Sequence, residues 1–261
     1  MMKKHAGGAS ATLWLLDGSQ VQEDQLTAFA AKKLGAGEKE RFYRFARKQR
    51  ARQFLLGRML LRWAMADLVG LSPNEVRVSE RPGSSPQLTF PGQNYLVPHF
   101  SLSHSRHWIA CVTSSQATLG LDIEVHDPSR DIIGISEMAF PAREHAWLLS
   151  QPEAEKMSAF YFLWSAREAE YKLLCDLGRE TGSALIVDKS VALDPSDCWH
   201  RYQLPKDNLT VVVCSDRRLL TVRQKTLSGF ALADWLTTDK KSQGVRRIRR
   251  QQDALATNYL L

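Results

Sequence analysis

The segment Leu119–Val125 constrains the fold of this chain more than any other. Its apolar residues occupy every second position: Leu119, Leu121, Ile123 and Val125. Successive side chains of a β-strand point to opposite faces, so this alternation predicts a strand with one buried face. Asp122 and Glu124 share the opposite face. A polar outer face is the commoner explanation of such a pair. The alternative is that a cation such as Mg²⁺ relieves the repulsion between two neighbouring carboxylates.

Hydrophobic patterns elsewhere predict helices and strands in mixed order. We expect strands near residues 11–16, 100–102, 108–112, 118–125, 187–193, 209–214 and 219–223. Helical regions are expected near residues 38–68, 132–149 and 153–174. The elements show no long βαβ periodicity, so the pattern predicts a mixed α+β fold of two lobes. A chain of 261 residues is long enough to bury a full core without disulfides or metals.

Composition excludes several classes of protein. Apolar residues make up 44% of the chain and charged residues 24%, which excludes wholesale disorder. The four cysteines form no CxxC pair, which argues against a zinc ribbon and indicates a reducing compartment. The longest apolar stretch, residues 54–71, is interrupted by Arg58, Arg62 and Asp67, so it is too polar to span a bilayer. We expect a soluble, cytoplasmic protein with no membrane partner.

The positive charge is concentrated in two segments. Residues 240–250 carry six basic side chains and no acid, so they account for most of the formal net charge of +7. We interpret residues 239–261 as a solvated basic tail, and its charge says little about a substrate. Nine further basic residues lie between Lys39 and Arg62. A solvated helix face explains them more simply than a phosphate-binding wall.

Two short motifs carry residues suited to chemistry. Trp164, Glu168 and Lys172 are four residues apart and line one stripe of a predicted helix. This stripe predicts either an ordinary Glu–Lys pair or a base next to a phosphate clamp. The Ser-His-Ser motif at 103–105 either forms a turn or presents donors to an anion. The chain has no GxSxG, GxGxxG or P-loop motif, which argues against a serine hydrolase and the common nucleotide folds.

The order and spacing of these motifs resemble the 4′-phosphopantetheinyl transferase superfamily of the surfactin-synthetase-activating (Sfp) type. Ser-His-Ser at 103–105 precedes Gly-Leu-Asp-Ile-Glu at 120–124, and Trp-Ser-Ala-Arg-Glu-Ala-Glu-Tyr-Lys follows at 164–172. The resemblance extends to residues 38–41, 54–58, 71–73 and 140–144, and it covers roughly residues 11–235.

The resemblance implies two pseudo-symmetric α/β lobes with the active site in the cleft between them. The corresponding division of this chain is an N-terminal lobe at 1–125, a C-terminal lobe at 126–238 and the tail at 239–261. The implied reaction moves 4′-phosphopantetheine from coenzyme A to a serine of an apo acyl or peptidyl carrier protein and releases 3′,5′-ADP. The carrier would belong to fatty acid, polyketide or nonribosomal peptide synthesis, and the enzyme would be a monomer.

The same resemblance assigns roles to individual residues. Asp122, Glu124 and Glu168 would bind Mg²⁺, with Mn²⁺ as an alternative, and Glu168 would accept the serine proton directly or through a metal-bound water. Lys172 would steady the phosphate and the leaving group. Arg41, Ser103, His104 and Lys172 would contact coenzyme A, with Arg41 near its 3′-phosphate.

The chain departs from the family pattern before and after these motifs. Ser85 stands where many members have a coenzyme A-binding lysine, and loss of that charged contact would weaken coenzyme A binding by about 1–3 kcal/mol. The three expected metal ligands and Lys172 are intact, so we expect an active enzyme. Arg167 replaces the usual lysine before Glu168 and keeps its charge. Residues 173–179 contain one glycine where the family has a glycine-rich turn.

Two other functions remain as alternatives. A Mg²⁺-dependent phosphodiesterase or nuclease would use the same carboxylates and bind nucleic acid through the basic segments. A degenerate member of the family would bind coenzyme A or a carrier protein without transfer. Neither alternative explains the ordered set of motifs, so we expect a carrier-protein partner rather than nucleic acid.

Overall fold

The computed structural model describes residues 8–81, 85–92, 97–178, 199–204 and 208–237. The fold is mixed α+β, as the sequence predicts. The strands are β1 (Ala9–Asp17), β2 (Arg77–Ser79), β3 (Gln87–Thr89), β4 (His99–Ser105), β5 (Trp108–Ser114), β6 (Leu119–Val125), β7 (Trp199–Leu204), β8 (Leu209–Ser215) and β9 (Leu219–Leu227). The helices are α1 (Glu23–Lys33), α2 (Ala36–Tyr43), α3 (Lys48–Val69), α4 (Ile132–Ala139), α5 (Ala142–Leu149), α6 (Glu153–Asp176) and α7 (Gly229–Thr237).

The described strands form three sheets. Four strands pair in the order β4-β5-β1-β9, and three pair in the order β6-β8-β7. The short strands β2 and β3 form an antiparallel pair of their own. Strand β6 is antiparallel to β8, so Asp122 lies opposite Val212 and Glu124 lies opposite Thr210. The alternation in Leu119–Val125 therefore predicts both the strand and the shared face of its two carboxylates.

Both faces of β6 are covered. On one face Leu119, Leu121 and Ile123 are fully buried with residues of β1, β5 and β8. On the other face, helix α6 approaches so closely that a Cβ on Gly120 would lie 1.9 Å from the carbonyl oxygen of Ala169. The simpler explanation of the carboxylate pair, a solvated outer face, is therefore wrong for Asp122, which is only 5% exposed.

Contacts along the backbone group the described residues into two compact units. The first is drawn from residues 1–15 and 98–225, and the second from residues 16–97 and 226–261. Each unit is discontinuous in sequence, whereas the expected lobes at 1–125 and 126–238 are continuous. The boundaries of those lobes, their pseudo-symmetry and the cleft between them stay predictions. The tail at 239–261 and the strand expected at 187–193 lie outside the described residues.

The second unit is held together around aromatic side chains of three helices. Trp235 of α7 contacts Phe29 of α1, with ring centroids 5.8 Å apart, and Trp63 of α3 at 6.0 Å. Its indole Nε1 donates to the side-chain oxygen of Asn74 at 3.0 Å. These contacts tie α7, the last helix of the described residues, to the long helix α3 within one core.

Two predicted helical regions are each divided in the structure. The region 38–68 contains α2 and α3, which are separated by residues 44–47. Within this break, the ring of Phe45 packs against that of Phe54, with ring centroids 5.4 Å apart. The region 132–149 contains α4 and α5, separated at Pro141, because proline disfavours the helical conformation of the residue before it. Helices α1 and α7 and strand β7 were not predicted. No helix within the described ranges is long and apolar enough to cross a membrane.

Candidate functional site

Asp122 is the most deeply buried acid of the candidate site. The hydroxyl of Ser103, on β4, donates to its Oδ1 at 2.8 Å, and Lys172 Nζ, on α6, lies 2.9 Å from the same oxygen. Its second oxygen, Oδ2, is buried and has no hydrogen-bond partner among the described residues. A buried carboxylate oxygen without a donor is costly, so this atom suits a bound cation.

Lys172 directs its ammonium group into the protein. Besides Asp122, its Nζ donates to the carbonyl oxygen of Leu121 at 2.9 Å and to Ser103 Oγ at 3.1 Å. An ammonium group has three donors, so these contacts use all of them. Lys172 therefore neutralises Asp122 in this structure, and a contact with a ligand phosphate requires that one of these bonds be exchanged.

Glu124 lies two residues further along the same face of β6. Ser105 Oγ donates to its Oε2 at 2.7 Å and accepts from the backbone N–H of Val125 at 3.1 Å. Burial raises the pKa of Glu124, and the charge of Asp122 raises it further, against the lowering effects of Ser105, Arg130 and Lys172. The two carboxylates thus repel each other, as a pair that shares a cation does before the cation binds.

Glu168 is placed differently from the other two acids. It lies on α6 one turn before Lys172 and is exposed, and its carboxylate makes no hydrogen bond or ion pair with another described residue. Within the part of the chain that the structure describes, no three His, Cys, Asp or Glu side chains are close enough to share one metal ion. Binding of one ion by Asp122, Glu124 and Glu168 together stays a prediction.

The predicted coenzyme A contacts fall in different places. Ser103 faces Asp122, whereas His104, the next residue of β4, is exposed and points to the opposite face of the strand. Arg41 belongs to the second unit, where its Nη1 lies 2.6 Å from Glu80 Oε2. The structure thus brings Ser103 and Lys172 to one site, and the contacts of His104 and Arg41 with coenzyme A stay predictions.

Two further residues of the site were not predicted. Ser105 belongs to the Ser-His-Ser motif, but that motif does not by itself predict its hydrogen bond with Glu124. Ser103 and Ser105 each precede their acid by 19 residues, and this equal spacing is the signal that predicts both pairs. The other is Arg130, whose guanidinium lies over the rings of Tyr161 and Trp164 at 5.7 and 5.8 Å. Its charge lowers the pKa of Glu124. No local pattern in the sequence identifies it.

Comparison with known proteins identifies the family of this chain. Residues 118–214 match the family model described as the 4′-phosphopantetheinyl transferase superfamily, and residues 21–116 match the model of a 4′-phosphopantetheinyl transferase N-terminal region. The chain belongs to the 4′-phosphopantetheinyl transferase superfamily. The first match contains β6 and α6, the elements that carry Asp122 and Lys172.

Individual relatives cover different shares of the chain. It is 29% identical over 212 residues to the 4′-phosphopantetheinyl transferase HetI of Nostoc sp., a match that covers 77% of this chain and 85% of the relative. It is 32% identical to the transferase ffp and 29% identical to the transferase Sfp, both of Bacillus subtilis. Each of these two matches covers 59% of this chain and 64% of the relative.

Proposed function

We propose that this chain is an active transferase that moves 4′-phosphopantetheine from coenzyme A to a serine of an apo acyl or peptidyl carrier protein. The observation that carries the proposal is the pair of acids on β6 beside Lys172, within the region that matches the superfamily. Asp122 Oδ2, buried without a donor, indicates that the pair is built to receive a cation. The product besides the holo carrier protein is 3′,5′-ADP.

The reaction exchanges one phosphorus–oxygen bond for another. The serine oxygen of the carrier forms a bond to the phosphorus that bears pantetheine, and the bond from that phosphorus to the ADP oxygen breaks. The leaving 3′,5′-ADP keeps the electron pair. Glu168 accepts the serine proton, a role that suits an exposed carboxylate with no partner among the described residues. The nucleophile belongs to the carrier, so the enzyme needs no catalytic serine or cysteine.

Asp122, Glu124 and Glu168 would hold the Mg²⁺ ion, or Mn²⁺ in its place. Bound there, the ion supplies charge neutralisation at the pyrophosphate. Oxygen ligands suit either ion, and the repulsion that raises the pKa of Glu124 is a reason for the pair to accept one. Ser105 keeps the Glu124 carboxylate oriented by its hydrogen bond to Oε2.

Lys172 would act on both the protein and the substrate. In the free enzyme its Nζ forms an ion pair with the buried Asp122, 2.9 Å from Oδ1. When coenzyme A binds, its Nζ exchanges the contact with Asp122 or Ser103 for a phosphate oxygen. Ser103, His104 and Arg41 would complete the coenzyme A contacts, with Arg41 at the 3′-phosphate.

The partner would be a carrier protein from fatty acid, polyketide or nonribosomal peptide synthesis. We further propose that the enzyme acts as a cytoplasmic monomer. The serine at position 85 would leave coenzyme A binding weaker than in members with a lysine there, by about 1–3 kcal/mol.

Intact-mass spectrometry of several apo carrier proteins tests this function. After incubation with the full chain, coenzyme A and Mg²⁺, we expect the mass of at least one carrier to rise by one phosphopantetheine. The gain should disappear with EDTA and with Asp122→Ala. If no carrier gains mass while coenzyme A still binds, the chain is a binder without transfer; salt-sensitive cleavage of nucleic acid would favour the nuclease.

A further inference from the structure

An ionic cluster of the second unit joins helices α2 and α3 to the end of β2. Its members are Glu38, Arg41, Arg58, Arg62 and Glu80. Glu38 and Arg62 form a buried two-contact pair, with Nη2–Oε2 and Nη1–Oε1 distances of 2.5 and 3.0 Å. Arg58 Nε also lies 3.4 Å from Glu38 Oε1. Because Glu38 and Arg62 are both buried, the contact of the cluster with a ligand depends on its other members.

Glu80 bridges a buried arginine and a partly exposed one. Arg58 donates to Glu80 Oε1 from Nε at 3.1 Å and from Nη2 at 2.6 Å, while Arg41 Nη1 donates to Oε2 at 2.6 Å. The Arg58 side chain is 7% exposed and the Arg41 side chain is 48% exposed. Both guanidinium groups also lie over the ring of Phe54, at 4.7 and 5.7 Å from its centroid.

The surplus charge of the cluster lies on Arg41. Three arginines face two glutamates, and each buried arginine has a two-contact carboxylate partner, so Arg41 carries the unbalanced positive charge. Its Nε and Nη2 make no hydrogen bond to another described residue. A guanidinium that is held at one nitrogen and open at two others presents a planar pair of donors, which is the geometry that phosphate groups accept.

We propose that Glu80 is a positioning residue that, anchored by Arg58, holds Arg41 toward the 3′-phosphate of coenzyme A. This inference rests on the proposed function, which assigns that phosphate to Arg41. The serine at position 85, in place of the family's lysine, makes the orientation of Arg41 more important for affinity in this chain.

Only a carboxylate can serve both arginines. Each oxygen of Glu80 accepts from a different guanidinium, whereas a glutamine at 80 would offer one acceptor and turn donors toward the other arginine. Burial by itself raises the pKa of Glu80, but the hydrogen bonds and charges of Arg41 and Arg58 bring the pKa below its ordinary value. Arg58, being buried, keeps the remaining acceptor, so Glu80→Gln releases Arg41.

The test compares coenzyme A with dephospho-coenzyme A, which lacks the 3′-phosphate, as donors to one apo carrier protein. For Glu80→Gln we expect KM for coenzyme A to rise about tenfold, the size of one charge-assisted contact, while kcat and the KM for dephospho-coenzyme A stay within about twofold. Glu40→Gln is the matched control, because Glu40 pairs with the exposed Arg44 at 2.6 Å on the same helix and has no buried partner. It should change neither KM.

The proposal is overturned if Glu80→Gln raises KM equally for both donors, if it raises KM for neither, or if it lowers KM for coenzyme A. Glu80→Asp, which keeps the charge but is too short to reach both arginines, provides the same test if Glu80→Gln does not fold.

A binding experiment separates this inference from the proposed function. Calorimetry with 3′,5′-ADP and 5′-AMP needs no turnover, and we expect Glu80→Gln to weaken only the former, again about tenfold. If wild-type protein transfers nothing to any carrier but shows this pattern, the proposed function fails and the role of Glu80 stands. If transfer occurs and the two nucleotides respond alike, the role of Glu80 is refuted.

Discussion

Replacing Lys172 by methionine removes the cation that balances a buried acid. Asp122 is 5% exposed, its Oδ1 depends on Lys172 and Ser103, and its Oδ2 has no donor among the described residues. Breaking a buried ion pair from one side costs about 3–5 kcal/mol. The Lys172 side chain is 29% exposed, so water compensates part of this, and we expect a loss of about 2–3 kcal/mol in the free energy of unfolding.

The same substitution at Lys156 provides a matched control. Lys156 also lies on α6 and pairs with Glu153 at 2.8 Å, but this partner is 88% exposed. Exposed pairs contribute at most about 1 kcal/mol, so Lys156→Met should cost less than about 0.5–1 kcal/mol. The measurement is urea unfolding of the full chain at pH 7 with EDTA present.

A double variant isolates the buried charge as the cause. Adding Asp122→Asn to Lys172→Met removes the unbalanced carboxylate, so roughly 1–2 kcal/mol of the lost stability should return. Equal destabilisation by Lys172→Met and Lys156→Met, or no recovery in the double variant, would refute the reasoning.

Two other predictions concern packing and pH. Gly120→Ala should destabilise the fold by more than about 3 kcal/mol in thermal denaturation, because its Cβ would lie 1.9 Å from the backbone of Ala169. Gly57→Ala is the control: it lies on α3, its Cβ would have nothing within 4 Å, and it should stabilise the fold by up to about 1 kcal/mol. The pKa of Glu80 lies below its ordinary value. This acid therefore stabilises the fold at pH values above the ordinary pKa, and its contribution is lost as the pH falls through the lowered pKa. Glu80→Gln should therefore lower Tm at pH 7 and have a much smaller effect at pH 3; an equal effect at both would contradict the assignment.

The strand that carries the site was predictable, but its burial was not. Alternation shows which residues of Leu119–Val125 share a face, and this prediction is confirmed. Helix α6, some 50 residues further along the chain, covers the polar face of this strand. The pattern within the strand does not predict that contact. Gly120 was the available sign, since a glycine inside a strand often marks close approach of another backbone.

The basic helix shows a similar limit. Charge runs are usually solvated, and most of the nine basic residues of 39–62 fit that expectation, but Arg58 and Arg62 are buried. Their carboxylate partners, Glu38 and Glu80, lie about 20 residues away on either side, so no i,i+4 pattern reveals them. The break before α3 was missed for the same reason, because no proline or glycine marks it and the contact of Phe45 with Phe54 is tertiary.

The central claim is that this chain transfers phosphopantetheine and that Glu168 takes the serine proton. Its most direct test is the intact mass of one apo carrier protein after incubation with coenzyme A, Mg²⁺ and either wild type, Glu168→Gln or the control Glu155→Gln. Glu155 is exposed in the first turn of the same helix. We expect full conversion with wild type and Glu155→Gln, and a rate at least about 100-fold lower with Glu168→Gln. Unmodified carrier with wild type, or equal rates for Glu168→Gln and wild type, would contradict the account.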